Sequence, residues 1–318
     1  MLKTLDETIA LINKKKLLHI SATQDLLRKL PKGNWIGGSA ECFATDLKTD
    51  NAKDKLWVFE MDFETYNIKT YTTNTISMFT SDTYPNGFSI IIMPGKTKLV
   101  QSFAKNAPHY KDIFLKSVVG WVAGSENDEA PFVVNGQTGE LLTNEAVILN
   151  VALPDDKIAV VNVVNIFTAN ESSPVIEFET EAFQAKNCLI DGADEILTDY
   201  AESHHINLQF PLIGEYYGSE VNTTMTDISD DKVVDVAAPL FKGIKYRFSK
   251  PLDNYADAFV NKINNIKDKD CIFSCNCISN KFFGKLDEYD LGGFYGPYVY
   301  GEIAYQLMNQ TLVYLQIK

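Results

Sequence analysis

The sequence has fewer basic than acidic residues, and this shortage excludes several classes of partner. Lysine and arginine together number 29, against 42 aspartate and glutamate residues, and the formal net charge is -13. Binding to nucleic acid or to an acidic membrane surface depends on clustered positive side chains. The one basic run, Lys14–Lys16, has no basic pattern after it. We therefore expect neither nucleic acid nor a membrane among the partners.

Long apolar runs and paired cysteines are also missing. No stretch approaches the roughly 18 consecutive apolar residues of a membrane helix, and the segment after Met1 lacks the apolar core of a signal peptide. The chain has five cysteines, an odd number with no paired framework. Such a pattern is typical of free thiols in a reducing compartment. These absences together predict a cytoplasmic protein.

Two glycine-containing motifs are incomplete. Pro94–Thr97 follows an apolar run as a phosphate loop does, but Ile90 stands where that motif requires its first glycine. Gly37, Gly38 and Ser39 resemble a nucleophile elbow that lacks its closing glycine. The glycine pair therefore favours close approach of a ligand or a neighbouring strand over a catalytic role for Ser39.

The cysteines and histidines do not form a metal motif. Cys271, Cys275 and Cys277 lie close together, but structural zinc sites need a second cysteine pair or histidines at a matching spacing. His204 and His205 end a predicted helix, where a positive charge complements the helix dipole. We expect no metal and no cofactor.

Strands outnumber helices in the predicted elements, and the two do not alternate strictly. Apolar runs predict strands at Thr75–Thr80, Ser117–Ala123 and Thr311–Ile317, and apolar spacing predicts a helix at Lys98–Asn106. This order favours an α+β fold with mixed or antiparallel sheets and packed helices. A polar connector, Asn170–Pro174, predicts two halves of similar size, residues 1–165 and 166–318.

A run of glycines and tyrosines near the end of the chain leads to one acidic residue, Glu302. Tyr295, Tyr298 and Tyr300 precede it. A carboxylate among aromatic rings needs a partner, or its pKa shifts. Such a set can hold a cationic or amino-bearing ligand in a hollow between the halves. Alternatively, Glu302 hydrogen-bonds to backbone groups and locks the loop, and the sequence leaves both interpretations open.

Several segments near the end of the chain together resemble the FIST family, a group of intracellular sensory domains with an N-terminal and a C-terminal part. Cys271–Asn276 resembles the family's apolar strand and its turn. Gly293–Tyr295 with Tyr300–Ile303 resembles a signature that carries extra residues here, and Asn309–Val313 resembles the closing strand. The sequence Cys277–Asn280 departs from the family pattern, because it replaces an Arg-Gly pair.

The resemblance implies that residues 1–165 and 166–318 correspond to the two FIST parts and that the protein is a sensor. We expect a non-enzymatic protein that binds a small molecule and signals through a protein partner. The expected ligand-binding residues are Gly37, Gly38, Ser39, Cys275, Asn276, Tyr295, Tyr300, Glu302 and Asn309. The alternatives are a hydrolase or transferase that uses Cys275 or Glu302, a haem-binding sensor, and an interaction scaffold without a pocket.

Overall fold

The fold consists of mixed and antiparallel β-sheets with short helices packed on them. The computed structural model describes residues 1–46, 48–50, 53–125, 129–216 and 218–318. Within these ranges the strands form four six-stranded sheets and one three-stranded sheet. The α+β fold class is confirmed. No helix in the described ranges is both long and apolar enough to cross a membrane.

The α-helices are short, between 4 and 10 residues long in the described ranges. Thr4 begins the first helix through a capping box with Glu7, and the Thr97 side chain accepts a hydrogen bond from the Val100 amide at the start of the third. The α-helices are α1 (Leu5–Asn13), α2 (Gln24–Leu27), α3 (Lys98–Asn106), α4 (Leu197–Ser203), α5 (Tyr255–Asn264) and α6 (Ile278–Gly284). Short 3-10 helices span Ile76–Ser81, Ala107–His109, Ile113–Leu115 and Leu286–Glu288.

The first and second sheets hold most strands of the N-terminal half. Sheet 1 contains β1 (Leu2–Lys3), β2 (Leu17–Ala22), β3 (Trp35–Ser39), β6 (Leu56–Met61), β10 (Val133–Asn135) and β11 (Glu140–Leu142), in the order β1-β6-β2-β3-β10-β11. Sheet 2 contains β7 (Tyr66–Tyr71), β8 (Gly87–Pro94), β9 (Ser117–Ala123), β12 (Ala146–Ala152), β25 (Glu302–Ala304) and β26 (Gln306–Met308), in the order β26-β25-β9-β8-β12-β7.

The remaining sheets hold most strands of the C-terminal half. Sheet 3 contains β4 (Phe43–Thr45), β5 (Lys48–Asp50), β13 (Ala159–Asn165), β23 (Phe273–Cys277), β24 (Gly296–Val299) and β27 (Thr311–Ile317). Sheet 4 contains β14 (Ile176–Glu177), β16 (Asn187–Ile190), β17 (Ala193–Ile196), β18 (Leu212–Tyr216), β19 (Ser219–Thr223) and β22 (Tyr246–Phe248). Sheet 5 contains β15 (Ala182–Ala185), β20 (Met225–Ile228) and β21 (Val234–Leu240).

Sheet 2 is the central layer and is buried on both faces. Ile90 and Ile92 of β8 belong to a core shared with sheets 1 and 3. Ile91 and Met93 of the same strand belong to a second core, shared with α3 and with sheets 4 and 5. A strand with cores on both sides has no polar alternation, because it has no solvent-facing side. This explains the apolar run Ile90–Met93 within β8.

Strands from both sides of residue 165 share sheets. In sheet 2, Ile303 of β25 pairs with Gly120 of β9. In sheet 3, Pro297 of β24 pairs with Phe43 of β4, and β13 pairs with β27 along its whole length. The division into residues 1–165 and 166–318 stays a prediction, and the two segments complete each other's sheets.

Two sequence-based expectations about local structure differ from the fold. Thr75–Thr80 was expected to be a strand, but a 3-10 helix covers Ile76–Ser81. The Thr75 hydroxyl accepts a hydrogen bond from the Thr72 amide, and the Ile76 amide donates to the Thr72 carbonyl. Local hydrogen bonds of this kind compete with strand pairing and favour a turn. The helix α6 had no strong apolar spacing and was not predicted.

Candidate functional site

A cavity of about 490 Å³ lies where the parallel strands β8 and β9 end. In sheets with parallel strands, ligands bind preferentially beyond the carboxyl ends of those strands. We name this space the strand-end cavity. It is lined by Gly95, Lys96, Val122, Ala123, Gly124, Ser125, Glu129, Ala130, Pro131, Thr226, Val236, Ala237 and Tyr300.

The lining of the strand-end cavity is mostly small or apolar, with a few polar groups. Val122, Pro131, Val236 and the ring of Tyr300 supply apolar surface, while the exposed side chains of Lys96, Glu129 and Thr226 supply charges and a hydroxyl. Apolar walls with a small number of polar groups are typical of small-molecule sites. This lining suits a compound with an apolar body and one polar or charged group.

Gly124 and Tyr300 fit together at one wall of the cavity. A Cβ atom added to Gly124 would lie 1.8 Å from Cδ2 of Tyr300. The ring therefore lies directly against the backbone after β9, and any side chain at position 124 would displace it. The Tyr300 amide also donates to the Val122 carbonyl at 3.1 Å, which fixes this tyrosine on the end of β9.

Of the predicted glycines of β3, Gly38 lies beside this wall, whereas a Cβ atom added to Gly37 would lie 2.9 Å from the Ile20 carbonyl oxygen of the neighbouring strand β2. A Cβ atom at Gly38 would lie 2.8 Å from side-chain atoms of Ile92 and Trp121, so the absent side chain lets sheet 1 approach sheet 2 closely. The Ser39 carbonyl accepts a hydrogen bond from the Gly124 amide at 3.1 Å, and its hydroxyl donates to the Phe132 carbonyl at 3.5 Å. These contacts support close packing at Ser39, and they connect β3 to the cavity wall.

Four other predicted residues lie in the protein interior. Cys275, Asn276, Glu302 and Asn309 have relative exposures between 0% and 2%. They belong to a group that we name the buried polar network, which combines strand, helix and turn residues. Its members are Thr224, Tyr255, Cys275, Asn276, Cys277, Asn280, Glu302, Asn309, Gln310 and Thr311.

Hydrogen bonds connect much of the buried polar network in a chain. Asn280 donates to the Asn276 side chain at 2.7 Å and accepts from the Tyr255 hydroxyl at 2.5 Å. Gln310 donates to that hydroxyl at 3.0 Å and accepts from the Thr224 hydroxyl at 2.9 Å. Paired groups of this kind hold polar atoms in the interior without a large desolvation cost.

The Glu302 carboxylate points into the buried polar network. Its Oε2 accepts hydrogen bonds from the Thr311 amide at 3.1 Å and from the Thr311 hydroxyl at 2.8 Å. Its Oε1 has no hydrogen-bond partner among the described residues. Burial raises the pKa of Glu302 to about 8, although the hydrogen bonds from Thr311 oppose this shift.

The expectation that Glu302 faces an open hollow therefore needs correction. Its side chain is fully buried and its carboxylate faces Thr311. The physical reason is that a carboxyl group with a raised pKa can stay neutral, so the interior tolerates it. The contacts match the alternative interpretation, in which this residue locks its loop, because both Thr311 donors hold it in place.

The thiols beside Glu302 are poor nucleophiles at neutral pH. Burial, and then the charge of Glu302, raise the pKa of Cys275 and that of Cys277 well above the usual range. Cys275 Sγ donates to the Gly120 carbonyl at 3.5 Å. Nucleophilic catalysis requires the thiolate, so these contacts do not support a hydrolase or transferase that uses Cys275.

Tyr295 lies apart from both groups. Its hydroxyl donates to Asp290 at 2.9 Å, and burial together with that carboxylate raises its pKa to about 12. The Tyr298 ring is buried in the core formed by sheet 3 and α5. The structure thus places Gly38, Ser39 and Tyr300 near the strand-end cavity. The other tyrosine expected to bind a ligand, Tyr295, lies outside the cavity.

Sequence reasoning missed most of the cavity lining. Gly124 follows the predicted strand Ser117–Ala123, and Lys96 lies in the loop that resembles a phosphate loop, so both carried a local signal. Thr226 and Val236 come from sheet 5 and carried none. In the part of the chain that the structure describes, no group of three or more histidine, cysteine, aspartate or glutamate residues is arranged to hold a metal ion.

These features define an α+β protein with a strand-end cavity and, in its interior, a buried polar network. Over residues 3–318 the chain matches the model of a family of unknown function, DUF6976, and it belongs to that family. No curated protein and no solved structure matches the chain.

Proposed function

We propose that this protein is a non-enzymatic sensor that binds a small molecule in the strand-end cavity. The single observation that carries the proposal is the cavity of about 490 Å³ at the ends of β8 and β9, with the Tyr300 ring in its wall. Its size and its mostly apolar lining are those of small-molecule sites. The resemblance to FIST sensory domains supports the sensory role and a protein partner that receives the signal.

The two predicted segments of the chain supply opposite parts of the proposed site. Gly95, Gly124 and Pro131 come from residues 1–165, while Val236 and Tyr300 come from residues 166–318. In this proposal each segment contributes one wall, as expected for a site between two halves. A bound molecule would then contact both segments at once, which gives binding a route to change their mutual arrangement.

Replacement of Tyr300 by alanine tests this function. A library of small amphipathic compounds is screened by thermal shift, and the affinity of each hit is measured by calorimetry. Loss of the ring removes a large apolar contact, so Tyr300→Ala should weaken binding by about tenfold or more. The matched control is Tyr295→Ala, because Tyr295 lies in the same segment and does not line the cavity; its affinity should stay within about twofold of wild type.

Three outcomes would contradict this proposal. Equal affinities for wild type and Tyr300→Ala would exclude the Tyr300 wall as a contact. Equal losses of affinity in the two variants would show that binding does not depend on the cavity wall in particular, because Tyr295 does not line the cavity. An absorption spectrum with a Soret band in the purified protein would favour the haem-binding alternative over a small ligand of the proposed kind.

A further inference from the structure

A buried cysteine and a buried lysine meet between distant parts of the chain. Lys281 of α6 donates from Nζ to Sγ of Cys42 at 3.2 Å, and the two residues are 239 positions apart. Their relative exposures are 8% and 2%. A lysine ammonium is rarely buried without a partner, because its desolvation is costly. Neither residue lines the strand-end cavity, and neither is a member of the buried polar network.

Neighbouring residues contact both the Cys42 backbone and the Lys281 side chain. The Cys42 carbonyl accepts a hydrogen bond from the Tyr298 amide at 2.8 Å, just before β4 pairs with β24. Lys281 Nζ lies 5.0 Å from the centre of the Phe282 ring. A positive charge beside a cysteine favours the thiolate, which is the form that attacks an oxidant. The amine is therefore already next to the sulfur atom that oxidation would make electrophilic.

We propose that Cys42 and Lys281 are a modification site, at which hydrogen peroxide joins Sγ to Nζ through a sulfenamide bond. In the first step the Cys42 thiolate attacks one peroxide oxygen, the O–O bond breaks, and the Lys281 ammonium supplies the proton that turns the leaving hydroxide into water. The products are a sulfenic acid at Cys42 and a neutral amine at Lys281.

The second step is a condensation without further oxidation. The Lys281 amine attacks the Cys42 sulfur, the S–N bond forms, and the sulfenic hydroxide leaves with one amine proton as water. In total one thiol, one amine and one hydrogen peroxide give one sulfenamide and two waters. The sulfur is oxidised by two electrons and the peroxide is reduced by two. Sulfenic acids are known to condense with nitrogen in this way.

The other cysteines lack this arrangement. Cys188 donates from Sγ to the Glu195 carbonyl at 3.8 Å, and Cys275 donates to the Gly120 carbonyl. Burial raises the pKa of Cys188 to about 11 and that of Cys271 to about 11. Cys42 differs in that a lysine Nζ donates to its sulfur atom, so we expect oxidation at low peroxide concentration to be selective for Cys42.

The bond would join two segments that the fold already brings together. Cys42 lies between β3 and β4, and Lys281 lies in α6 directly after β23. A covalent link there closes a long loop of the chain, and such links stabilise proteins by restricting the unfolded state. The inference does not depend on the proposed ligand site.

Mass spectrometry of the full chain after treatment with hydrogen peroxide tests the inference. We expect a species about 2 Da lighter than the untreated protein, because the reaction removes two hydrogens. After tryptic digestion the Cys42 peptide should be linked to the Lys281 peptide, and cleavage after Lys281 should be lost. Dithiothreitol should restore both peptides. The linked form should also melt several degrees higher than the reduced form.

Two variants separate the steps of the reaction. Lys281→Met should give no link, and a dimedone-type reagent should then trap the sulfenic acid at Cys42. Cys188→Ser is the matched control and should form the link as wild type does. Oxidation of Cys42 without linkage in the wild-type protein, or an unmodified Cys42 when other thiols are oxidised, would overturn the inference. The wild-type digest decides this even if Lys281→Met fails to fold.

Discussion

Glu302 shows at the scale of a single residue how the same chemistry can serve structure or binding. Sequence reasoning correctly singled it out as an acid that needs a partner. The structure supplies that partner, Thr311, from the same short stretch of chain. What the sequence could not show is the direction of the side chain, because that depends on which strands pair with β25. Tyr300, two residues earlier, lines the cavity instead.

The raised pKa of Glu302 predicts a specific pH dependence of stability. The pKa of Glu302 is about 8 in the folded protein and near the ordinary value of 4.5 when the chain is unfolded. Between these values the folded state holds a proton that the unfolded state has lost, so this group's stabilisation falls as pH rises from about 4.5 to about 8. The glutamine in Glu302→Gln does not titrate in this range, so the stability of the variant should not show this fall with rising pH.

Chemical denaturation of wild type and Glu302→Gln at several pH values measures this pH dependence. The difference in unfolding free energy between the two proteins should change by on the order of 1–3 kcal/mol between pH 5 and pH 8, in favour of the variant at high pH. The affinity of the cavity for its ligand should not change in this variant. Parallel pH profiles for the two proteins would show that the carboxyl group is not buried as described.

Individual helices and strands were easier to predict from the sequence than the pairing between strands. The elements Ser117–Ala123, Lys98–Asn106 and Thr311–Ile317 were predicted with the bounds that the structure has. Each is an apolar run or stripe bounded by residues that end it, so the signal is local. The pairing of β25 with β9 and of β4 with β24 is not local. No pattern within one strand specifies a partner so distant in the sequence, which is why the cavity could not be predicted.

Two strand glycines should differ in how well they tolerate alanine. A Cβ atom at Gly120 would lie 2.0 Å from the Ile91 carbonyl oxygen, whereas one at Gly38 would meet side-chain atoms of Ile92 and Trp121 at 2.8 Å. Backbone in a central sheet cannot shift as side chains can. Gly120→Ala should therefore lower the free energy of unfolding by about 2–3 kcal/mol, and Gly38→Ala by about 1 kcal/mol.

Urea denaturation of both glycine variants beside wild type checks this order. The comparison is matched, because both residues lie in buried strands and gain the same methyl group. Equal losses of stability, or a larger loss for Gly38→Ala, would contradict the close approach of β8 and β9 at Gly120.

Because the two segments of the chain share sheets, we expect the whole molecule to fold as one unit. Sheets 2 and 3 each contain strands from both sides of residue 165. A segment without its partner strands would leave long unpaired edges and exposed apolar faces. The sequence predicted an α+β fold correctly because composition and element order report on class. The sequence did not indicate which strands pair across residue 165, because this pairing depends on contacts between distant parts of the chain.

Separate production of residues 1–165 and 166–318 tests whether each segment needs the strands of the other in order to fold. We expect each segment alone to be unfolded or aggregated, and the two together to give a folded complex, as judged by near-ultraviolet circular dichroism and gel filtration. Cooperative unfolding of either segment on its own would show that the shared strands are dispensable and that the halves are independent domains.

Crystallographic soaking of a fragment library into wild-type crystals tests the ligand-binding claim most directly. Fragments with an apolar ring and one polar group should be found against the Tyr300 ring and the Gly124 backbone, in contact with both segments of the chain. Fragments bound only elsewhere, with the space at the ends of β8 and β9 unoccupied at saturating concentration, would contradict the account.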